Sequence, residues 1–298
     1  MCSSDLTSDK TTTNIAMPPM LRFPGVEREY MVKRELGAGA FAPVYLIETV
    51  TDSDDTTESN ESGPVMGRGA FSLHHRQPLE ALKMEDPPTA WEFYIMRQAS
   101  RRLGVSRAAD SLIQAHEFHL YRDECYLIET YRDQGTLLDL VNIARADSQQ
   151  AGGVMDELLA MFFAIELLRT VEALHKAGIL HGDLKADNVL VRLGAGGGAA
   201  WSAQYAADGS AGWSEQGVAL IDFGRGVDMK VFRPDVQFIA DWKTGPQDCA
   251  EMRELRPWTF QIDYHGLAGI LHSMLFGRYM ETVADARAAL PGDRKSVV

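Results

Sequence analysis

Four polar residues at fixed spacing, Asp183, Lys185, Asn188 and, farther on, Asp222, are the ones best placed to do chemistry. The run His181-Gly182-Asp183-Leu184-Lys185-Ala186-Asp187-Asn188 lies between the apolar flanks Ile179-Leu180 and Val189-Leu190, as a buried turn requires. A carboxylate, an ammonium two residues on and an amide three beyond that form a phosphoryl-transfer set. Asp183 would accept or orient the proton of a substrate hydroxyl, Lys185 would neutralise the transferring γ-phosphoryl, and Asn188 would hold a Mg²⁺ ion. Asp222 closes the apolar strand Val218-Ala219-Leu220-Ile221 and opens Asp222-Phe223-Gly224, where its carboxylate would chelate the Mg²⁺ that bridges the phosphates.

Such chemistry needs a phosphate-binding element upstream. Gly37-Ala38-Gly39-Ala40-Phe41-Ala42-Pro43-Val44 supplies a glycine loop in which backbone N–H groups can approach phosphate with no Cβ in the way. A dinucleotide-binding loop should open a helix, yet the residues that follow alternate like a strand and include Pro43. A Walker loop needs Gly-Lys-Ser/Thr, which is absent. A glycine loop joining two antiparallel strands remains, with Gly37, Ala38, Gly39, Ala40, Phe41 and Val44 as the ATP-binding residues. The next strand, Leu79-Glu80-Ala81-Leu82-Lys83-Met84, carries an apolar-flanked lysine suited to the α- and β-phosphates. Glu92 is the candidate partner that orients Lys83; Thr89-x-x-Glu92 is equally a capping box, in which the glutamate would bond back to its own helix start.

These residues need strands on both sides of the glycine turn and a long helix before the catalytic turn. Residues 31–36 and 44–47 read as strands. Residues 154–176 read as a helix, with Leu158, Met161, Phe162, Ile165 and Leu168 at three- and four-residue steps and a stop at Lys176 and Gly178. The chain of 298 residues carries 29 Lys and Arg against 42 Asp and Glu, a net charge of −13. That balance excludes general affinity for nucleic acid through bulk charge. No uncharged apolar run reaches the ~18 residues of a membrane span, and the polar first fifteen residues do not read as a signal peptide. Three cysteines make no disulfide framework. The expectation is a soluble intracellular protein.

In order and type, the four motifs resemble those of protein kinases. The resemblance implies an α+β, two-lobed fold: a small antiparallel-sheet lobe and a mainly helical large lobe. Lys185 at two residues past Asp183, and Thr244 seven residues before Glu251, favour serine/threonine over tyrosine substrates. The surrounding residues are more specific. Leu82-Lys83-Met84 with Trp91-Glu92-Phe93-Tyr94-Ile95, His181-Gly182-Asp183, Asp228-Met229-Lys230-Val231-Phe232 and Pro257-Trp258-Thr259-Phe260-Gln261-Ile262-Asp263-Tyr264 resemble the Bub family of mitotic spindle-checkpoint kinases. The likeness covers about residues 30–280 apart from two insertions. It implies a nuclear, kinetochore-associated Ser/Thr kinase using ATP and Mg²⁺, with checkpoint proteins as partners and a core histone tail as substrate. The alternative is a pseudokinase-like scaffold or an inactive fragment; the presence of Lys83, Asp183, Asn188 and Asp222 argues against decay of the site. Many kinases use an arginine at position 182 to pair with an activation-loop phosphate. Glycine cannot, so contacts other than that phosphate are expected to order the segment.

The expected organisation is a flexible leader over residues 1–25 and a kinase domain over 26–292, with loop insertions at about 48–79 and 193–217. The first insertion is acidic and the second is rich in Gly, Ala and Ser with two tryptophans. Leu267, Ile270, Leu271, Met274 and Leu275 of the central large-lobe helix need cover, yet 18 residues follow Met280, so the last helices are expected to be missing. Asp293-Arg294-Lys295-Ser296-Val297-Val298 back-translates into a string shared with a sequencing adapter, and residues 293–298 are expected to be a non-native tail.

Overall fold

The computed structural model describes residues 19–38, 42–50, 76–147, 154–194, 202–284 and 296–297. Most of the expected leader, the centre of the acidic insertion, the start of the second insertion, Gly39, Ala40 and Phe41 of the glycine loop, and most of the tail lie outside the described residues.

The small lobe is a six-stranded antiparallel sheet in the order β1-β2-β3-β4-β6-β5. Its strands are β1 (Met20–Arg22), β2 (Glu29–Ala38), β3 (Pro43–Val50), β4 (Leu79–Glu85), β5 (Ala115–Leu120) and β6 (Cys125–Thr130). Alternating β-branched and aromatic residues give it one buried face, where Tyr30, Ile47, Leu82 and Ile128 meet. Two register shifts in β2, between Val32 and Arg34 and between Glu35 and Gly37, bend the strand as it enters the glycine turn. Helix α1 (Trp91–Leu103) packs between this sheet and the large lobe.

The leader ends earlier than expected. Strand β1 pairs with β2 from Met20↔Met31 to Arg22↔Glu29. Phe23 is buried, its ring stacked on that of His119 at 3.8 Å. One aromatic ring on an exposed sheet edge supplies the apolar burial that a leader of Ser, Thr and Asp lacks.

The large lobe holds α2 (Leu137–Ala146), α3 (Glu157–Lys176), α4 (Ala250–Arg253) and α5 (Gln261–Phe276), with β7 (Ile179–Leu180), β8 (Val189–Arg192), β9 (Gly217–Leu220) and β10 (Val227–Asp228). β8 pairs with β9 and β7 with β10, both antiparallel. Helix α3 starts at Glu157 because the Asp156 carboxylate accepts the N–H groups of Leu158 and Leu159. Its buried stripe is Ala160, Phe163, Leu167, Val171 and Leu174, one position round from the expected one, and Leu158, Met161 and Leu168 are exposed. After α5 the described residues add only β11 (Val283–Ala284) paired with β12 (Ser296–Val297). On α5, Leu267, Ile270 and Met274 are buried and Leu275 is exposed.

The second insertion is not a free loop over its described part. Tyr205 and Trp213 pack on Phe162 of α3, the latter at 5.4 Å between ring centroids. Arg107, in the connection from α1 to β5, donates to the buried Glu166 carboxylate at 2.8 Å and to the carbonyls of Ala206 and Ala207. Tyr205 donates to the same Glu166 oxygen at 2.7 Å. The insertion therefore fastens the α1–β5 connection to α3. Replacing Arg107 with alanine leaves a buried carboxylate without its cation, and should cost about 3 kcal/mol or more of unfolding free energy in a denaturant titration.

Candidate active site

Lys83 stands on β4 opposite Val44 of β3, which places the expected phosphate-binding lysine beside the strand that leaves the glycine loop. Gly37 and Ala38 close β2, opposite Val44 and Pro43. Lys83 Nζ donates to Glu92 Oε2 at 2.6 Å and to Asp222 Oδ1 at 2.9 Å. Burial opposes the charge on Lys83, but the two carboxylates outweigh it and raise its pKa above the ordinary lysine value. Glu92 is used twice: its Oε1 accepts the N–H of Phe223 at 3.1 Å. The capping box is not formed: Thr89 Oγ1 accepts the Trp91 N–H at 3.2 Å, but the Glu92 oxygens go to Lys83 and Phe223 rather than back to the helix start.

Helix α1 is pinned to the segment that follows Asp222. Trp91 Nε1 donates to the Gly226 carbonyl at 2.9 Å. Tyr94 donates to Asp228, and Arg102 grips both oxygens of that buried carboxylate at 2.7 and 2.6 Å. These contacts fix Glu92 where Lys83 can reach it.

The second half of the site is the turn between β7 and β8. Asp183 Oδ2 accepts from Lys185 Nζ at 2.9 Å and from Asn188 Nδ2 at 3.0 Å. The Asn188 amide also donates to the Asp183 carbonyl at 2.9 Å. With its NH₂ committed, Asn188 has its carbonyl oxygen left as a donor atom; Asp222 retains the carboxylate oxygen that Lys83 does not use. One amide oxygen and one carboxylate are a hard oxygen set of the kind that holds Mg²⁺ together with substrate phosphates. Asp222 has φ +63°, a left-handed conformation rare for a non-glycine residue and characteristic of functional sites.

The turn has no regular ladder, so its backbone must be satisfied by side chains. The buried Asp263 of α5 accepts the N–H groups of His181 at 2.9 Å and Gly182 at 2.8 Å, and His175 Nε2 at 2.8 Å. His181 Nε2 bonds the Ile221 carbonyl, and its Nδ1 accepts the Asp183 N–H. Burial pushes the His181 pKa down, which keeps the ring neutral in that tautomer. Ile221 N–H donates to the Asn188 carbonyl, so the Asp183 turn and Asp222 are joined through β8 and β9.

Sequence reasoning missed Arg102, Arg225, Asp248 and the role of Glu129. Asp228 stands in a motif quoted for likeness, but its partners could not be read from spacing. Glu129 lies opposite Ala81 on β6, two residues from Leu127, which faces Lys83. It therefore shares the Lys83 face of the sheet. It is buried, and its Oε2 has no partner among the described residues. Burial and the Glu92 carboxylate push its pKa up to about 8, against the pull of Lys83.

The protein kinase domain family matches residues 89–283. The chain is 48% identical over 264 residues to the spindle assembly checkpoint serine/threonine-protein kinase bub1 of Schizosaccharomyces pombe, covering 89% of this chain and 24% of that protein. It is 42% identical over 265 residues to the corresponding BUB1 of Saccharomyces cerevisiae, covering 89% and 23%. The crystal structure of the BubR1 kinase domain superposes with a TM-score of 0.67 at 29% identity, over 90% of this chain and 68% of that one. The chain thus spans about a quarter of the length of these two curated relatives.

The Glu129 carboxyl is neutral at pH 7 in the folded protein and ionised in the unfolded chain, where it titrates near 4.5. Stability is therefore expected to fall as pH rises from about 4.5 to about 8. Glu129→Gln, which keeps the shape and removes the titration, should flatten that decline in melting temperatures taken across the interval. It should also raise the melting temperature at pH 8.

Proposed function

The chain belongs to the protein kinase family, with Bub1 checkpoint kinases among its relatives, and we propose that it transfers the γ-phosphoryl of ATP to serine or threonine hydroxyls of proteins in the spindle checkpoint. The observation that carries this reading is the assembled pair of constellations: Lys83 with Glu92 and Asp222, and Asp183 with Lys185 and Asn188. Kinase domains in general use ATP and a divalent metal, which supplies electrostatic stabilisation of the charge on the phosphates when bound.

The residues of this chain then have distinct tasks. Lys83, held by Glu92, orients the α- and β-phosphates. Asn188 and Asp222 would hold Mg²⁺. Asp183 accepts the proton of the attacking hydroxyl at its carboxylate, whose Oδ2 is fixed by Lys185 and Asn188. Lys185, half exposed and tethered to Asp183, meets the transferring phosphoryl. Gly37, Ala38, Gly39, Ala40, Phe41 and Val44 would bind the nucleotide. The net charge of −13 suits a basic substrate segment, consistent with a core histone tail. Action at kinetochores in the nucleus, with checkpoint proteins as partners, rests on the named activities of the relatives.

The test is transfer of labelled phosphate from ATP to a basic Ser/Thr peptide by the full-length protein. Asp183→Asn should lower kcat by roughly 10²–10⁴-fold, the usual contribution of a positioned general base. Thermal stabilisation by ATP and Mg²⁺ should persist in that variant. Equal transfer by Asp183→Asn and wild type would overturn the assignment, and nucleotide binding without transfer by wild type would point to a scaffold.

A further inference from the structure

Arg225 directly follows Asp222-Phe223-Gly224 and reaches two carboxylates from different parts of the site. Its Nη1 lies 3.7 Å from Asp183 Oδ1, and its Nη2 donates to Asp248 Oδ1 at 2.9 Å. Asp248 is buried, with its side chain 2% exposed, and its other oxygen accepts the Gly245 N–H at 2.8 Å. That bond closes the turn Gly245-Pro246-Gln247-Asp248. Pro246 and Gln247 line a cavity of about 340 Å³ together with Asp183 and Lys185. The wall of this cavity is thus tied to the carboxylate that would take the hydroxyl proton, through one guanidinium.

The backbone of Arg225 is as constrained as its side chain. Gly182 has φ +78°, and a Cβ there would stand 2.2 Å from the Arg225 carbonyl oxygen. No side chain fits at position 182 while Arg225 keeps its place. An arginine at position 182 and the observed placement of Arg225 are mutually exclusive. A buried carboxylate without a cation is strongly destabilising, and Arg225 is the cation that meets Asp248.

We infer that Arg225 is a positioning residue that clamps the 245–248 turn to Asp183 through the buried Asp248 carboxylate, so that a built-in carboxylate orders the substrate side of the cleft with no phosphate on the segment. The inference rests on the kinase reading for its catalytic consequence and on geometry alone for the clamp. Arg225 reaches neither Lys83 nor Glu92, so ATP affinity is outside its influence while peptide use depends on it.

Steady-state kinetics on the full-length protein and hydrogen–deuterium exchange test it together. Arg225→Gln is expected to lower kcat/KM for a basic Ser/Thr peptide by about tenfold or more, with the KM for ATP within about twofold of wild type. Asp248→Asn should lower it in the same direction, and the double variant should cost no more than Arg225→Gln alone, because that change already removes the Arg225–Asp248 contact. Amides of residues 244–252 should exchange faster in both single variants, with residues 83–85 unchanged. Phosphatase treatment of wild type should leave its activity within about twofold. Additive costs, unchanged exchange at 244–252, an ATP KM that rises with the peptide KM, or activity abolished by phosphatase would each overturn the clamp. If wild type transfers no phosphate at all, the kinase reading fails, and the exchange measurement alone decides on the clamp.

Discussion

The buried carboxylate of Asp263 is the constraint on which the rest of the site hangs. The turn from His181 to Asn188 is irregular backbone surrounded by core, and buried N–H groups without partners are costly. Asp263 takes two of them, from His181 and Gly182, and fixes His175 as well. An isolated carboxylate in such a place would be neutralised or expelled; three donors compensate its burial. Because Asp263 sits in the first turn of α5, the position of that helix sets the position of the turn, and through His181 and Ile221 it sets Asp222 too. The chemistry-bearing residues are therefore referenced to a single point in the large lobe.

The small lobe is registered to the same point through α1. Four side chains on one helix, Trp91, Glu92, Tyr94 and Arg102, bond to residues 223–228. Glu92 could in principle turn back to cap its own helix. It does not, because Lys83 and the Phe223 N–H together offer a charge-assisted pair and a satisfied backbone donor, which a cap bond alone would not match. Burial acts in the same sense on Glu129, on the Lys83 face of the sheet, but there no ion pair or hydrogen bond among the described residues offsets it. With Lys83 already engaged by Glu92 and Asp222, a third carboxylate nearby finds no cation and stays protonated.

What could be read in the sequence follows the range of the interaction. Asp183, Lys185 and Asn188 sit within six residues of one another, and the turn that contains them converges their side chains whatever surrounds it. Lys83 and Asp222 were legible from their apolar flanks, since each ends or occupies a buried strand. Glu92 had two local readings, and only its contact with Lys83 separates them. Arg225, Asp248 and Arg102 carry no local pattern at all; their roles arise from contacts across the fold. Helix α3 misled for a different reason. It is apolar on more than one face, so periodicity could not choose between the stripe of Leu158, Met161 and Leu168 and the neighbouring stripe that the core buries. The 202–216 segment reads as a loop by composition, and it is one by backbone; two aromatic rings and one glutamate anchor it to α3.

The contacts that hold the parts of the site against one another share one property, great separation along the chain. Lys83 and Asp222 are 139 residues apart, Glu92 and Phe223 131, Arg102 and Asp228 126, and His181 and Asp263 82. Closing such loops brings no reward until both lobes are already in place, so these pairs form only on a nearly complete fold. Each is a charge or a buried donor that is costly when unmet, which makes the assembled site all-or-none. Two consequences follow from that arrangement. The pairs add specificity to the relative placement of the lobes, since a displaced small lobe leaves the buried carboxylate of Asp228 without Arg102 and Tyr94. They also make the site sensitive to global stability, because a loss anywhere that loosens α5 or α1 reaches Asp183 and Lys83 through one bond each.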